Sequence, residues 1–122
     1  MAEGVQTLDE ERRGDIVILR PPASFWLGAD DTEAFSRQVQ ELAAAGCRGI
    51  VVNLTRVPRM NSISLGALGD AWRVVRQRQG RLILCGVGKE CLLMLKVTRL
   101  DEILTVCATE EEALALLAPS QA

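Results

Sequence analysis

Histidine is missing altogether from the 122 residues. That absence removes Ser-His and Cys-His nucleophile pairs and deprives a zinc site of its usual nitrogen ligand. No apolar stretch approaches the roughly 18 residues that a membrane span requires. The opening Met1-Ala2-Glu3-Gly4 has no basic region followed by an apolar one, so no signal peptide is expected. Neither sign of charge dominates: 14 Lys and Arg against 16 Asp and Glu leave a net charge of −2. Such a balance offers no electrostatic footprint for nucleic acid. With no paired acids placed at a cleft and no cofactor loop, an enzyme is not expected either. The reading is a cytoplasmic protein with no metal, no cofactor, no nucleic-acid partner and no membrane insertion.

Four cysteines stand at positions 47, 85, 91 and 107. Their spacing gives neither a CxxC pair nor a secreted disulfide framework, and buried free thiols acting as small hydrophobes are the better reading. Gly86-Val87-Gly88-Lys89 follows a strand-like run. It lacks the spacing of a phosphate-binding loop, so a tight strand-to-helix turn is expected there.

What is present is a core. Apolar residues make up 48% of the chain, enough for one domain over 1–122 with an ordered core from about 5 to 117. Val5–Leu8 and Asp15–Leu19 read as strands, with Arg12-Arg13-Gly14 turning between them and Pro21-Pro22 ending the second. A loop then carries Phe25 and Trp26, either core plugs or a partner-facing patch. Asp30 or Asp31 can cap a helix that runs to Ala45 and stops at Gly46. Ile50 to Leu54 is a near-continuous β-branched run, the mark of a strand buried on both faces. Leu65, Leu68, Trp72 and Val75 then repeat at helical spacing from Ile63 to Gln79, with Gly80 as the stop. Arg81–Cys85 is the next strand, Lys89–Val97 a helix and Ile103–Cys107 a last short strand. Thr109 with Glu112 three residues on is a capping box for the final helix. The order predicts an α/β domain built on a mixed β-sheet, parallel in its later part and covered by helices.

Val51 to Leu68, VVNLTRVPRMNSISLGAL, resembles the signature of the STAS domain family, which includes bacterial anti-sigma factor antagonists. Asn53-Leu54-Thr55 stands where members typically show Asp-Leu-Ser, and Asn61-Ser62-Ile63-Ser64 where they show Asp-Ser-Ser-Gly. Arg81–Cys85, Lys96–Asp101 and Thr109–Leu117 continue the likeness, which covers nearly all of the chain from Asp15. The resemblance implies a regulatory module that binds a protein partner, an anti-sigma factor that is a Ser/Thr kinase, with Ser62 as phosphoacceptor. Asn61, Ser62, Ile63 and Ser64, with Arg56 and Arg59 in the preceding loop, are then the partner-binding residues. Two other roles stay open. One is an unphosphorylated STAS adaptor seated on a transporter ATPase, which the departures at Asn61 and Ile63 suggest. The other is a ligand-binding or scaffold domain within a larger assembly, which symmetric self-assembly would favour.

The residues themselves give Ser62 two readings. Serine and asparagine are favoured N-caps, so Ser62 or Asn61 can simply start the helix. A hydroxyl at that mouth can also take a phosphate, because helix N–H groups and the dipole favour negative charge there. Arg56 and Arg59 can pair with such a phosphate or meet an acidic partner. Arg73, Arg76, Arg78 and Arg81 read as a solvated basic face.

Overall fold

Three runs of the sequence, IVILR, GIVVN and RLILC, have no polar face to turn toward water. The computed structural model, which describes residues 9–23 and 29–118, sets them side by side. Strands β2 (Ile16–Arg20), β3 (Gly49–Asn53) and β4 (Arg81–Cys85) run parallel, with Ile18 opposite Val51 and Val51 opposite Ile83. Strand β1 (Asp9–Arg13) pairs antiparallel with β2, and short β5 (Thr105–Cys107) extends the other edge parallel to β4. The spatial order is β1-β2-β3-β4-β5. Parallel neighbours need crossovers. Helices α1 (Ala29–Ala44) and α2 (Ser62–Gln77) make the first two; α3 (Lys89–Val97), followed by a 3₁₀ turn at Leu100–Glu102, makes the third. Helix α4 (Glu110–Leu117) follows the last strand. This is the mixed sheet that the order of elements predicts.

Period-2 alternation sends successive strand residues to opposite faces. Val17, Leu19, Ile50, Val52, Leu82 and Leu84 face Phe35, Val39 and Leu42 of α1 and Leu65, Leu68 and Val75 of α2. Ile16, Ile18, Val51, Ile83 and Cys85 face the other way, onto Ala113 and Leu117 of α4. Gly49 makes that second contact close, since a Cβ there would lie 2.7 Å from Leu117 Cδ1. Two arginines finish α4, Arg81 donating to the Leu116 carbonyl and Arg48 to that of Leu117. Cations at the last carbonyls satisfy acceptors that the helix leaves open.

Several boundaries differ from the sequence reading. Val5–Leu8 lies outside the described residues, and Arg12 and Arg13, read as a turn, belong to β1; Gly14, at φ 66°, starts the turn. Asp30 and Asp31 fill the first turn of α1 rather than capping it. Helix α2 stops at Gln77, and the left-handed residue beyond it is Gln79, at φ 65°, not Gly80. Glycine is needed at 80 for space: a Cβ would come within 2.9 Å of Val75 Cγ1 and 3.1 Å of the Arg48 carbonyl. Of the capping box on α4, Thr109 Oγ1 accepts from Glu112 N at 3.1 Å, but Glu112 Oε1 accepts from Ala108 N, one residue before the cap. Phe25 and Trp26 lie outside the described residues.

The α4 register makes a sharp contrast between neighbours: Leu117 is 1% exposed and Leu116 46%. Leu117→Ala is expected to cost about 2–4 kcal/mol in urea unfolding, and Leu116→Ala less than about 1 kcal/mol. Equal losses at the two positions would contradict this packing.

Candidate functional site

The candidate site is built where β3 ends. Asn53, its last residue, turns its side chain back on the chain: Asn53 Oδ1 accepts from Thr55 N at 2.9 Å and from Thr55 Oγ1 at 2.5 Å. This side-chain-closed turn takes the backbone out of the sheet. Gly86, at φ 67°, packs against it so tightly that a Cβ would sit 2.2 Å from Thr55 Oγ1. The Gly86-Val87-Gly88 segment is therefore a tight turn between β4 and α3, shaped to let the Asn53 turn pass.

The other end of the Asn53 amide reaches across the sheet, where Nδ2 donates to Glu110 Oε2 at 2.7 Å. Arg20 Nε donates to that same oxygen at 2.7 Å, and its Nη2 reaches Glu110 Oε1 at 3.0 Å and Glu11 Oε1 at 2.7 Å. The Arg20 fork, seconded by Asn53, holds the Glu110 carboxyl below its ordinary 4.5 against the opposing effect of burial. Glu11 is lowered too, by Arg20 first and then Arg13. The arginine is correspondingly raised, chiefly by Glu110. This network joins β1, the end of β2, the end of β3 and the first turn of α4. An Asp at 53, the residue that the resemblance leads one to expect there, would put two carboxylates at hydrogen-bond distance.

From Thr55 the loop runs to α2. Arg56 and Arg59 are exposed, while Val57 is buried and its carbonyl accepts from the buried Cys91 thiol at 3.6 Å. Asn61 is the N-cap, with extended backbone at φ −123°. Its Oδ1 accepts from Ser64 N at 2.9 Å, and Ser64 Oγ accepts in return from Asn61 N at 2.8 Å. This reciprocal box settles the alternative between Asn61 and Ser62 as cap. Ser62 is the first helical residue and is exposed. Ser64, expected among the partner-facing residues, is instead fully buried in the box. Ile63 is 54% exposed. Ser62 and Ile63 open onto a groove of about 540 Å³ between α1 and α2, where Arg37 and Gln40 face Gly66 and Asp70.

The site residues thus fall into two groups. Asn61, Ser62 and Ile63 share the helix mouth, with Arg56 and Arg59 on the approach. Of the basic residues farther along, Arg73, Arg76 and Arg81 are engaged locally and Arg78 is exposed. Arg73 pairs with Asp70 at 3.3 Å, Arg76 lies 5.7 Å from the Trp72 ring centroid, and Arg81 holds the end of α4. Cys47, Cys85 and Cys91 are buried free thiols and Cys107 is partly exposed. Burial raises all four, Cys85 to about 12, so thiolate chemistry near neutral pH is disfavoured. Among the described residues no helix is long and apolar enough to cross a membrane.

The family model for the STAS domain matches residues 7–113, and the chain belongs to that family. Among curated proteins it is 35% identical over 66 residues to an anti-sigma-B factor antagonist of Listeria monocytogenes. That match spans 52% of this chain and 58% of the relative. Among solved structures, an anti-sigma-factor antagonist STAS domain protein from Planctomyces limnophilus superposes with a TM-score of 0.80. It is 22% identical, over 93% of this chain and 99% of that one. The Bacillus cell fate determinant SpoIIAA in its phosphorylated form gives a TM-score of 0.70 at 20% identity, over 92% of this chain and all of that one. The chain is thus a STAS domain in family and fold, and it is similar to anti-sigma factor antagonists.

Two outcomes test the site's construction. Asn61→Ala removes the cap oxygen and is expected to cost about 1 kcal/mol in chemical denaturation; a neutral result would mean that the box carries no stability. Asn53→Asp sets a second carboxylate against Glu110, so the pair binds its proton more tightly folded than unfolded. A raised folded pKa leaves stability intact at low pH and removes it as pH rises past the ordinary carboxylate value. The variant should therefore match the wild type near pH 3.5 and fall behind it by about 2 kcal/mol at pH 7. A constant difference across that range would refute the Asn53–Glu110 contact.

Proposed function

We propose that this chain is an anti-sigma factor antagonist switched at Ser62. In its unmodified form, Ser62, Ile63 and the Arg56–Arg59 approach dock on an anti-sigma factor that is also a Ser/Thr kinase. The kinase transfers the γ-phosphoryl group of ATP to Ser62 Oγ, the hydroxyl proton leaves to the kinase's base, and ADP departs. Modified at Ser62, the chain loses affinity for that partner. It acts in the cytoplasm as a binding module and carries out no chemistry of its own.

One observation carries this reading: capping is done by Asn61 and Ser64, leaving the Ser62 hydroxyl at the exposed mouth of α2 with no structural duty in the box. A phosphate adds roughly −1.5 to −2 charge and three acceptor oxygens. The first turn of α2 holds no acidic residue to oppose it, and the open N–H groups and the dipole favour it. The domain therefore tolerates a dianion that a partner seated on the same mouth does not. SpoIIAA supplies the precedent, the same fold in a phosphorylated form.

Incubation with the cognate kinase and ATP, followed by mass-spectrometric mapping, is expected to place one phosphate on Ser62 and none on Ser62→Ala. Ser62→Asp should weaken partner binding at least about tenfold, a difference of about 1.4 kcal/mol. Phosphate found only elsewhere contradicts the switch. Stable binding to a transporter ATPase that is indifferent to both substitutions would instead support the unphosphorylated adaptor.

A further inference from the structure

Two of the free cysteines are partners across the sheet. In the parallel ladder between β4 and β5, Cys85 stands directly opposite Cys107. Both belong to the core cluster that α4 covers, so their side chains leave the sheet on one side. The Cys107 thiol has two carbonyls in reach, that of Leu84 at 3.7 Å and that of Thr109 at 3.5 Å. The Leu84 contact lays the sulfur against β4 beside residue 85. Cys85 is fully buried, whereas Cys107 is partly exposed. The other two cysteines are engaged elsewhere: Cys47 packs in the cluster on the opposite face, and the Cys91 thiol bonds the Val57 carbonyl.

Neighbouring strands lie about 4.8 Å apart. That is inside the roughly 4.4–6.8 Å range of Cα separations that disulfides span, but short of the usual 5.5–6 Å. The two sulfurs can therefore join with little movement of the backbone, and the bond closes under strain. Strained disulfides are readily reduced, which suits a reversible link better than a permanent staple. Strand β5 is three residues long and, in the described sheet, has β4 alone as a neighbour. It is the element such a link would fasten.

We propose that Cys85 and Cys107 form a reversible disulfide under hydroperoxide stress, fastening β5 to β4. The Cys107 thiolate attacks one oxygen of hydrogen peroxide; the O–O bond breaks, and the departing hydroxide takes up the thiol's proton as water. The Cys85 sulfur then attacks the Cys107 sulfenic acid, the S–S bond forms, and a second water leaves with the Cys85 proton. Two electrons pass from the sulfurs to the peroxide. Two thiols and one peroxide thus become one disulfide and two waters. Burial holds both thiols protonated near neutral pH, so the pair answers to sustained oxidant rather than to brief exposure. The inference does not depend on the Ser62 switch.

The test treats the folded full chain with excess hydrogen peroxide, alkylates the remaining thiols and cleaves with trypsin, which leaves each cysteine on its own peptide. Mass spectrometry is expected to find one crosslink, between peptides 82–89 and 100–122, that dithiothreitol removes. Cys107→Ser, at the partly exposed position, should keep its native circular dichroism and show no crosslink. Amide exchange in β5 should slow at least about tenfold on oxidation and recover on reduction. Four thiols left free, a crosslink through Cys47 or Cys91, or Cys107 carried to the sulfinic acid without a crosslink would each overturn the proposal. So would a disulfide that leaves β5 exchange unchanged.

Discussion

Everything at the functional end of this domain depends on how β3 leaves the sheet, and Asn53 decides that. Its carbonyl oxygen closes the turn onto Thr55 and its amide nitrogen is bound to Glu110. One side chain thus fixes the direction of the loop and ties it to α4 on the far face of the sheet. An amide does both at neutral pH, since it accepts at one end and donates at the other. Glu110 is held ionised by Arg20, which also anchors β1 through Glu11. The N-terminal hairpin, the last helix and the start of the site loop therefore share one charge-assisted network, and such networks hold geometry more firmly than isolated surface pairs do.

Downstream of that anchor, the loop and helix divide their tasks by residue. Val57 and Cys91 fix the loop from beneath, while the Asn61–Ser64 box starts α2. Ser62 is left with an exposed hydroxyl beside the open helix mouth. A group added there meets a rigid base and favourable dipoles on its own side. Its consequences fall on whatever surface packs against the loop from outside. A small domain can in this way carry a switch without a conformational change of its own.

Much of this was legible before the fold was seen, for physical reasons. Strands buried on both faces announce themselves as unbroken apolar runs, so Ile50–Val52 and Leu82–Cys85 could be placed from sequence. Helix α3 has the bounds read for it, Lys89–Val97. Strand β1 is not legible in the sequence because its five residues, Asp9 to Arg13, are all charged; an edge strand of that kind carries no hydrophobic signal. Gly80 reads in the sequence as a helix stop, whereas the constraint is the volume beside Val75, which no local pattern reveals. The Arg20–Glu110–Asn53 network spans 57 and 90 residues of sequence, so nothing local in the sequence reveals the role of the amide at 53. The helix mouth itself was readable, but which residue caps it was not. Asn61 and Ser62 are equally good caps by type, and only the return bond from Ser64 separates them.

The central claim is that Ser62 takes a charge the domain tolerates and its partner does not. The most direct test measures two quantities on the same protein before and after phosphorylation at Ser62: its unfolding free energy and its affinity for the kinase. The account predicts an unfolding free energy unchanged within about 1 kcal/mol and an affinity lowered at least about tenfold. A phosphorylated chain that binds its partner as tightly as before, or that loses affinity only because it has unfolded, would contradict it.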